Sequence, residues 1–526
     1  MNSEPPAPPA ASPVHVTPPV QAERPDWRTA MALAHALGRE ALATRRRRDA
    51  ADMTDGMEWL PLHDAAGRIL AQELRTSIPV PHYPSSAMDG YAYAASPTAA
   101  APPQTWLLED WTGVDHVLAP GRACPVVTGR AVPHGTTGII RSEYAQVTAS
   151  SAHGAAPESA HGTEPAPAGG TAPTPAHGSA PGAAHGSARL GLAPDAPLSE
   201  LEPGRHIRPA GNEASAGDLL APAGTALTPP LLAMAAVCGH DVVPVLPAPR
   251  AALLYTGDEV ISAGLPARGT VRDVFSVQLP HLLGLSGAQI VSQSRIGDDP
   301  AHTWDALTHM LAPGTDTGSC HAAEDADPAE ATHTAENAHT SEEMTTAADA
   351  HPPEAPDLIV TTGGTGRSAA DHIRSTLTAL AKSTGGRIVF PELDMRPGHP
   401  TLLAALVRAD GRTVPVLGLP GNPLAAMAAM RVAGRALIRG MRGAPAEVPL
   451  TVPLAAGSPR QKAERLVPAR PHAASVRDGT DEPAWEPCTH SGPNMMRGLT
   501  RAQGWIVLPA HSVRTGERVL FLPLEW

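Results

Sequence analysis

The sequence predicts a multidomain protein of the α/β plus β class: an α/β domain built on a parallel sheet, with β-rich parts before and after it. Three observations carry this. The chain has 526 residues, room for three to four domains at about 150 residues each. From Arg250 to Arg439 short apolar strands alternate with helical stretches, the pattern of parallel βαβ units. On either side the chain reads as short strands separated by Gly- and Pro-containing turns.

In chain order, Trp27–Ala43 has helical apolar spacing, and a second helix is predicted over Leu62–Leu74. Val80–Ala94 carries prolines at 79, 81 and 84 and reads as loop with a turn at Asp89-Gly90. Residues 104–143 and Gly211–Gly224 are turn-rich β segments. The α/β block then runs as strand Ala251–Tyr255 into TGDE, helix Phe275–Leu283, strand Ala288–Arg295 into GDDP, and helix Trp304–Leu311. Strand Asp357–Val360 follows, entering TTGGTG, then helix Asp371–Lys382, strand Val414–Leu419 into PGNP, and helix Leu424–Arg439. Val448–Trp526 reads as a small β domain.

Composition narrows the function. The formal charge is −13, so no basic excess exists to neutralise a nucleic-acid backbone. Cys124, Cys238, Cys320 and Cys488 are far apart with no CxxC, which points to a reducing compartment and no cysteine-built zinc site. No apolar run reaches the roughly 18 residues of a membrane span; Leu231–Val245 is broken by His240, Asp241 and Pro244. With no charged-then-apolar start, a cytoplasmic protein without membrane contact is expected.

Proline (59) and glycine (48) are abundant, and three segments account for most of the compositional bias. Residues 1–24 are Pro/Ala-rich, 145–200 repeat Ala-His-Gly, and 313–356 hold ten acidic residues and no Lys or Arg. None contains Phe, Trp or Tyr, so they bury too little to offset about 1–2 kcal/mol of ordering entropy per residue. All three are expected to be disordered, the last two as insertions within domains. Their histidines read as solvated repeats rather than metal ligands.

Four motifs sit at strand ends or turns, where α/β sheets place function. TTGGTGRSAAD (Thr361–Asp371) offers backbone amides and a helix N-terminus to an oxyanion; an ordinary glycine turn reads equally well. In TGDE (Thr256–Glu259) two carboxylates suit a hard cation shared with phosphates, while Asp258 could instead cap a following helix. PGNP (Pro420–Pro423) is a helix-entry turn or a close backbone approach to a ligand. SSAMDGYAYA (Ser85–Ala94) contains a common Asp-Gly turn. An oxyanion loop beside a carboxylate pair suggests metal-assisted chemistry on a phosphorylated ligand.

At these residues the chain resembles the molybdopterin molybdenumtransferase family (MoeA and the E domain of gephyrin). The matching segments are PVPHYPSSAMDGYA (79–92), ACPVVTGRAVPHG (123–135), IRPAGNEASAGDLLAPAGTALTP (207–229), ALLYTGDEV (252–260), IGDDP (296–300), DLIVTTGGTGRSAAD (357–371), RPGHP (396–400) and LGLPGNP (417–423), in family order. The resemblance implies an N-terminal helical and linker region over 25–78 and 222–247, an inserted β domain over 79–221, an α/β molybdopterin-binding domain over 248–442 and a C-terminal β-barrel over 446–526. It also implies an L-shaped homodimer whose cleft lies between the α/β domain of one subunit and the N-terminal region of the other. The implied reaction takes adenylylated molybdopterin and molybdate, cleaves the pyrophosphate link, releases AMP and leaves molybdenum on the dithiolene, assisted by a divalent cation, usually Mg2+. Contact with a molybdopterin adenylyltransferase is a further implied partnership.

Carried over position by position, Asp89, Glu213, Glu259, Asp371 and Arg396 match catalytic positions, with Glu259 and Asp371 on the metal. Thr362, Gly363, Gly364, Thr365, Gly366, Arg367, Asp273, His399, Pro420, Gly421 and Asn422 match substrate-binding positions. The chain departs from the family in three places. KPGKP is Arg396-Pro397-Gly398-His399-Pro400, SGGVSVG is TTGGTGRS, and Asp-Ser/Thr-Asn is Asp273-Val274-Phe275. Arginine keeps the lysine charge as a planar fork, and Arg367 offers a further cation. TTGGTG is closer to the molybdopterin adenylyltransferases, so adenylyl transfer is one alternative function. A weakened paralogue that binds or carries the cofactor is another.

Overall fold

A computed structural model of the chain describes residues 24–51, 56–95, 105–111, 113, 115–149, 188–312, 355–366, 372–473 and 482–524. These fall into two compact units. The first comprises the residues before Glu73 together with Pro222–Pro229 and Val242 onwards; the second comprises Glu73–Ala221 and Pro230–Asp241.

The first unit is centred on a six-stranded sheet: β1 (Arg250–Tyr255), β2 (Gln289–Arg295), β3 (Leu358–Thr362), β4 (Arg387–Phe390), β5 (Leu402–Val407) and β6 (Thr413–Leu419). Their spatial order is β2-β1-β3-β6-β5-β4. The first four strands in that order are parallel, whereas β5 and β4 continue the sheet antiparallel. The sheet is therefore mixed. The antiparallel pair is not predicted from sequence because Leu402–Val407 (LLAALV) is a short continuous apolar run, which periodicity cannot assign to helix or strand.

Alternation along the strands separates two cores. Ala251, Leu253, Leu358, Val360, Leu417 and Leu419 face one side. There they pack with α1 (Trp27–Ala51), α2 (Phe275–Leu285) and the C-terminal helical run. Ala252, Leu254, Ile359, Val414 and Val416 face the other, against α3 (Pro300–Leu311) and α4 (His372–Thr384). Each fully buried Val, Leu or Ile contributes about 1.5–3 kcal/mol, so this sheet is a rigid base for whatever its strand ends carry. The C-terminal run is α5 (Pro423–Ala429), a π turn over Met430–Gly434, and α6 (Arg435–Met441). It crosses α1 closely. A Cβ on Gly38 would meet Leu437 O, and one on Gly440 would meet His35 O, so both crossing points require glycine.

The helix expected over Leu62–Leu74 does not form. A single 3-10 turn, Leu62–Asp64, is followed by Gly67 at φ +72°. Ile69 and Leu70 then bridge to Ala226 and Val245. Inter-segment hydrogen bonds from Leu70 N to Thr225 O (2.9 Å) and Leu246 N to Ile69 O (2.8 Å) replace the helical ones; tertiary pairing overrides the local apolar spacing. The C-terminal residues form a five-stranded antiparallel sheet ordered 450–453, 518–523, 504–508, 465–471, 485–487. Leu454 bridges Trp485 across its two edges, closing it as a barrel around Val452, Val467, Ile506 and Phe521.

The second unit contains a six-stranded sheet ordered 138–141, 90–93, 122–126, 105–108, 188–192, 145–149. The disordered stretch expected over 145–200 is thus shorter. Ala145–Ala149 and Ala188–Leu192 pair with each other, and Leu198–Leu201 forms a 3-10 turn. The apolar positions Val147 and Leu190 and the buried Glu200 lie at its ends, where composition averaged over the tract hides them. Residues 1–23, 150–187 and 313–354, expected as disordered, lie outside the described residues, as does Cys320; Cys124, Cys238 and Cys488 are buried free thiols.

Glu200 is fully buried. Its carboxylate accepts from Arg141 Nη2 (2.8 Å), Arg141 Nε (3.1 Å) and Arg141 N (3.2 Å), and it lies 3.2 Å from His206 Nε2. Burial pushes the carboxyl up, but the hydrogen bonds from Arg141 and His206 outweigh it and hold it below its ordinary value. The stabilisation is therefore present above the ordinary carboxyl range and lost as pH falls through the lowered value. Glu200→Ala is expected to cost about 1–3 kcal/mol by leaving the Arg141 N–H and His206 without their acceptor, read as a lowered Tm at pH 7; Arg141 keeps Glu143 at 2.9 Å. Tm measured against pH should also fall less steeply on the acid side in Glu200→Gln than in the native protein.

Candidate active site

Because β1, β3 and β6 are adjacent and parallel, their carboxyl ends emerge together. The three loops that follow, Thr256–Glu259, Gly363–Gly366 and Pro420–Asn422, line one cleft of about 760 Å³. Of the residues expected to bind substrate, Thr362 through Gly366, Pro420 through Asn422 and Asp273 all line it, as does Glu259. A cleft of this size suits a nucleotide-sized ligand.

The glycine loop is held from behind. Gly363 N donates to Leu419 O at 3.1 Å, and Thr256 Oγ1 donates to Thr362 O at 2.7 Å. Gly363 and Gly364 have φ of +76° and +59°, so they satisfy the turn that glycine alone adopts easily. The same conformation leaves the backbone bare on the cleft side. Arg374, on α4, donates to Thr365 O (2.8 Å) and Gly366 O (3.3 Å), which occupies the loop carbonyls and braces the turn.

Across the cleft, Glu259 is exposed. Asp258 caps no helix, since the strand Val260–Ile261 follows. Instead its Oδ1 accepts from Asp298 N at 3.2 Å, and its own N donates to Asp298 Oδ2 at 3.4 Å. This reciprocal clasp ties the TGDE loop to the GDDP loop and brings Asp298 into the cleft wall. Burial pushes the Asp298 carboxyl up, and the charges of Asp258 and Glu259 raise it further; such a concentration of negative charge favours a cation. Among the described residues no group of three or more His, Cys, Asp or Glu could hold a metal ion. A cation here would be shared with ligand phosphates, the usual mode for Mg2+.

Asp273 is buried in the cleft wall with its carboxylate already engaged. Oδ1 accepts from Phe275 N (2.8 Å) and Ser276 N (3.1 Å), and Oδ2 pairs with Arg295. Burial pushes this carboxyl up, but the Ser276 hydrogen bonds and Arg295 hold it below its ordinary value. The residue anchors the start of α2 as well as facing the cleft.

A second pocket, of about 500 Å³, adjoins the first. Arg396 and His399 line it with Lys462 and Arg465, and it shares Pro400, Pro420 and Asn422 with the cleft. Leu466 N donates to Arg396 O at 2.8 Å, so the barrel strand carrying Arg465 is laid directly beside Arg396. Lys462, Arg465, Arg374 and Asp298 carry no clear signal in the sequence. The first two lie in QKAER, an unremarkable charged turn until the barrel folds back on the α/β domain. Arg374 reads as a helix surface residue, and nothing in GDDP marks Asp298 over Asp299.

Asp89 and Glu213 belong to the second unit. Asp89 Oδ1 accepts from Thr128 N (2.7 Å) and Thr128 Oγ1 (2.9 Å), which holds its carboxyl below the ordinary value. Glu213 N donates to Val80 O at 2.9 Å. Arg367 and Asp371 lie outside the described residues.

Two family models match the chain: "MoeA N-terminal region (domain I and II)" over residues 34–239 and "Probable molybdopterin binding domain" over 322–440. The chain is 26% identical over 395 residues to molybdopterin molybdenumtransferase 2 of Mycobacterium tuberculosis, covering 73% of this chain and 75% of that protein. It is 24% identical over 394 residues to the molybdopterin molybdenumtransferase of Synechococcus elongatus, covering 72% and 73%. Its fold matches the crystal structure of the molybdopterin biosynthesis moeA protein from Pyrococcus horikoshii OT3 with a TM-score of 0.60 at 18% identity, over 95% of this chain and 100% of that one. Taken together, the two matched regions span more than half of the sequence in the order the family requires, and the chain belongs to the MoeA family of molybdopterin molybdenumtransferases.

Proposed function

We propose that the protein is a molybdenum insertase, a transferase of molybdenum cofactor biosynthesis that takes adenylylated molybdopterin and molybdate and releases AMP. One observation carries this reading: a glycine-loop cleft with a carboxylate wall shares Pro400, Pro420 and Asn422 with a basic pocket. A phosphorylated ligand in the first would thus lie next to an oxyanion in the second. Molybdate, a tetrahedral dianion, calls for cations or N–H donors, which Arg396, Lys462 and Arg465 supply.

In this reading the backbone of Gly363–Gly366 and Gly421 cradles the phosphates of the substrate. Glu259, together with Asp371, would hold a Mg2+ ion shared with the ligand phosphates, and such an ion would supply charge neutralisation at the pyrophosphate link. The clasp between Asp258 and Asp298 fixes the loop from which Glu259 projects. Asp89 and Glu213 are proposed as further acids acting on the substrate, in a cytoplasmic homodimer that receives its substrate from a molybdopterin adenylyltransferase. No helix among the described residues is long and apolar enough to cross a membrane.

The test is AMP release by the purified protein from adenylylated molybdopterin. Release should require molybdate, fall about tenfold or more on chelation and return with Mg2+, since metal stabilisation is worth several kcal/mol. No release above a protein-free control rejects the reading. ATP consumption with free molybdopterin would favour adenylyl transfer instead.

A further inference from the structure

The segment Arg24–Arg28, which leads into α1, has no part in the chemistry above, yet it touches His399, which lines the basic pocket, and Glu464, whose sequence neighbours Ala463 and Arg465 line it. On one side Asp394 N donates to Pro25 O at 2.8 Å, and Asp26 pairs with Asp394 as a parallel bridge. Two residues back, the Arg24 guanidinium lies with Nε 3.5 Å from Glu392 Oε1 and Nη2 3.1 Å from the His399 ring nitrogens. His399 Nδ1 is 2.7 Å from Leu393 O. A carbonyl can only accept, so Nδ1 carries a proton, and Nε2 faces Glu392 Oε2 at 3.6 Å. Both ring nitrogens are thus engaged within the protein, and the Arg24 guanidinium places a cation at this end of the pocket.

On the other side, Trp27 Nε1 donates to Glu464 Oε2 at 2.8 Å, and Arg28 Nη1 donates to the same oxygen at 3.1 Å. Glu464 sits in sequence between Lys462 and Arg465, both of which line the pocket. Trp27 is fully buried and fixes the point from which Arg28 reaches. Neither Glu392 nor Glu464 lines the pocket, and each is held by an arginine of this segment.

We propose that Arg24–Arg28 is a strap that sets the charge of the oxyanion pocket. Arg24 adds a cation beside His399. Arg24, and Arg28 with Trp27, keep the Glu392 and Glu464 carboxylates turned from an incoming dianion, which then meets Arg396, Lys462 and Arg465 with Arg24 beside them. The strap residues act through the pocket's field, as positioning residues. The proposal rests on the molybdate reading given above, since it names the ligand of that pocket, but it is tested separately by binding.

The experiment measures molybdate and tungstate binding to the full-length protein by calorimetry, beside the molybdate dependence of AMP release. Arg24 and Arg28 are both about half exposed, so Arg24→Ala and Arg28→Ala should fold. Each is expected to weaken oxyanion binding about tenfold at low salt, with the difference shrinking near 1 M salt as screening shortens to about 3 Å. In turnover the half-saturating molybdate concentration should rise more than the maximal rate falls. Arg24→Lys should restore most of the binding lost in Arg24→Ala. Likewise Arg28→Ala/Glu464→Gln should recover the binding lost in Arg28→Ala, because the uncompensated carboxylate charge is gone.

Binding within twofold of native in both alanine variants overturns the strap while leaving the insertase reading intact. So does weakened binding that neither Arg24→Lys nor the added Glu464→Gln recovers. Strap-dependent binding without any AMP release overturns the insertase reading and supports the strap. No molybdate or tungstate binding by the native protein overturns both.

Discussion

Glu259→Gln should lower molybdate-dependent AMP release by about a hundredfold or more, close to 3 kcal/mol of transition-state stabilisation. The substitution keeps the shape of the side chain and removes its charge. Glu259 is exposed on the cleft wall, and exposed substitutions of this kind usually change stability by no more than about 0.5 kcal/mol. Loss of activity with an unchanged Tm is therefore the signature. The Glu259 backbone is fixed independently of its side chain, since Val271 N donates to Glu259 O at 2.8 Å, so the loop stays in place. The concentration of Mg2+ giving half-maximal rate should rise in this variant, whereas that of molybdate should hardly move. Kinetics at several Mg2+ concentrations separate the two.

Gly363→Ala is the second large effect. At φ +76° an L side chain is strained, and its Cβ would lie 2.6 Å from Thr256 Oγ1. That hydroxyl is the one donating to Thr362 O, so it cannot move without breaking the bond that braces the loop. The backbone term alone costs about 1–3 kcal/mol, and the displaced loop should no longer match the phosphates. AMP release is expected to fall by at least about a hundredfold, by loss of preorganised donors, with a measurable drop in Tm. Gly411→Ala is the control: φ is +83° but nothing lies within 4 Å of the new Cβ. It should lose stability and keep its kinetic constants. A Gly363→Ala enzyme as active as the control would remove the loop from the phosphate site.

Much of the site is legible in the amino-acid sequence because its parts are local. TGDE, TTGGTG and PGNP each follow an apolar strand, and parallel strands place their carboxyl ends together, so three separate motifs imply one cleft. Tyr255, Thr362 and Leu419 are the last residues of β1, β3 and β6, and the loops begin directly after them. What stays hidden depends on long-range pairing. Lys462 and Arg465 reach the pocket only because Arg465 bridges Arg396, a contact between segments far apart in sequence. Arg24 reaches His399 from the far end of the chain. The helix predicted over Leu62–Leu74 fails for the same reason: pairing of Ile69 with Ala226 and Leu70 with Val245 outweighs a local pattern. Glu200 is invisible within a biased tract, since one buried carboxylate does not alter an average.

The most direct measurement is a crystal structure of the protein with AMP, Mg2+ and molybdate, with molybdenum located by its anomalous scattering. The AMP phosphate should lie on the amides of Gly363–Gly366 opposite Glu259, and the molybdenum peak should fall between Arg396, Lys462 and Arg465, one wall away. A molybdenum peak remote from Arg396, or a nucleotide phosphate outside the cleft that Gly363 and Glu259 line, would contradict the account.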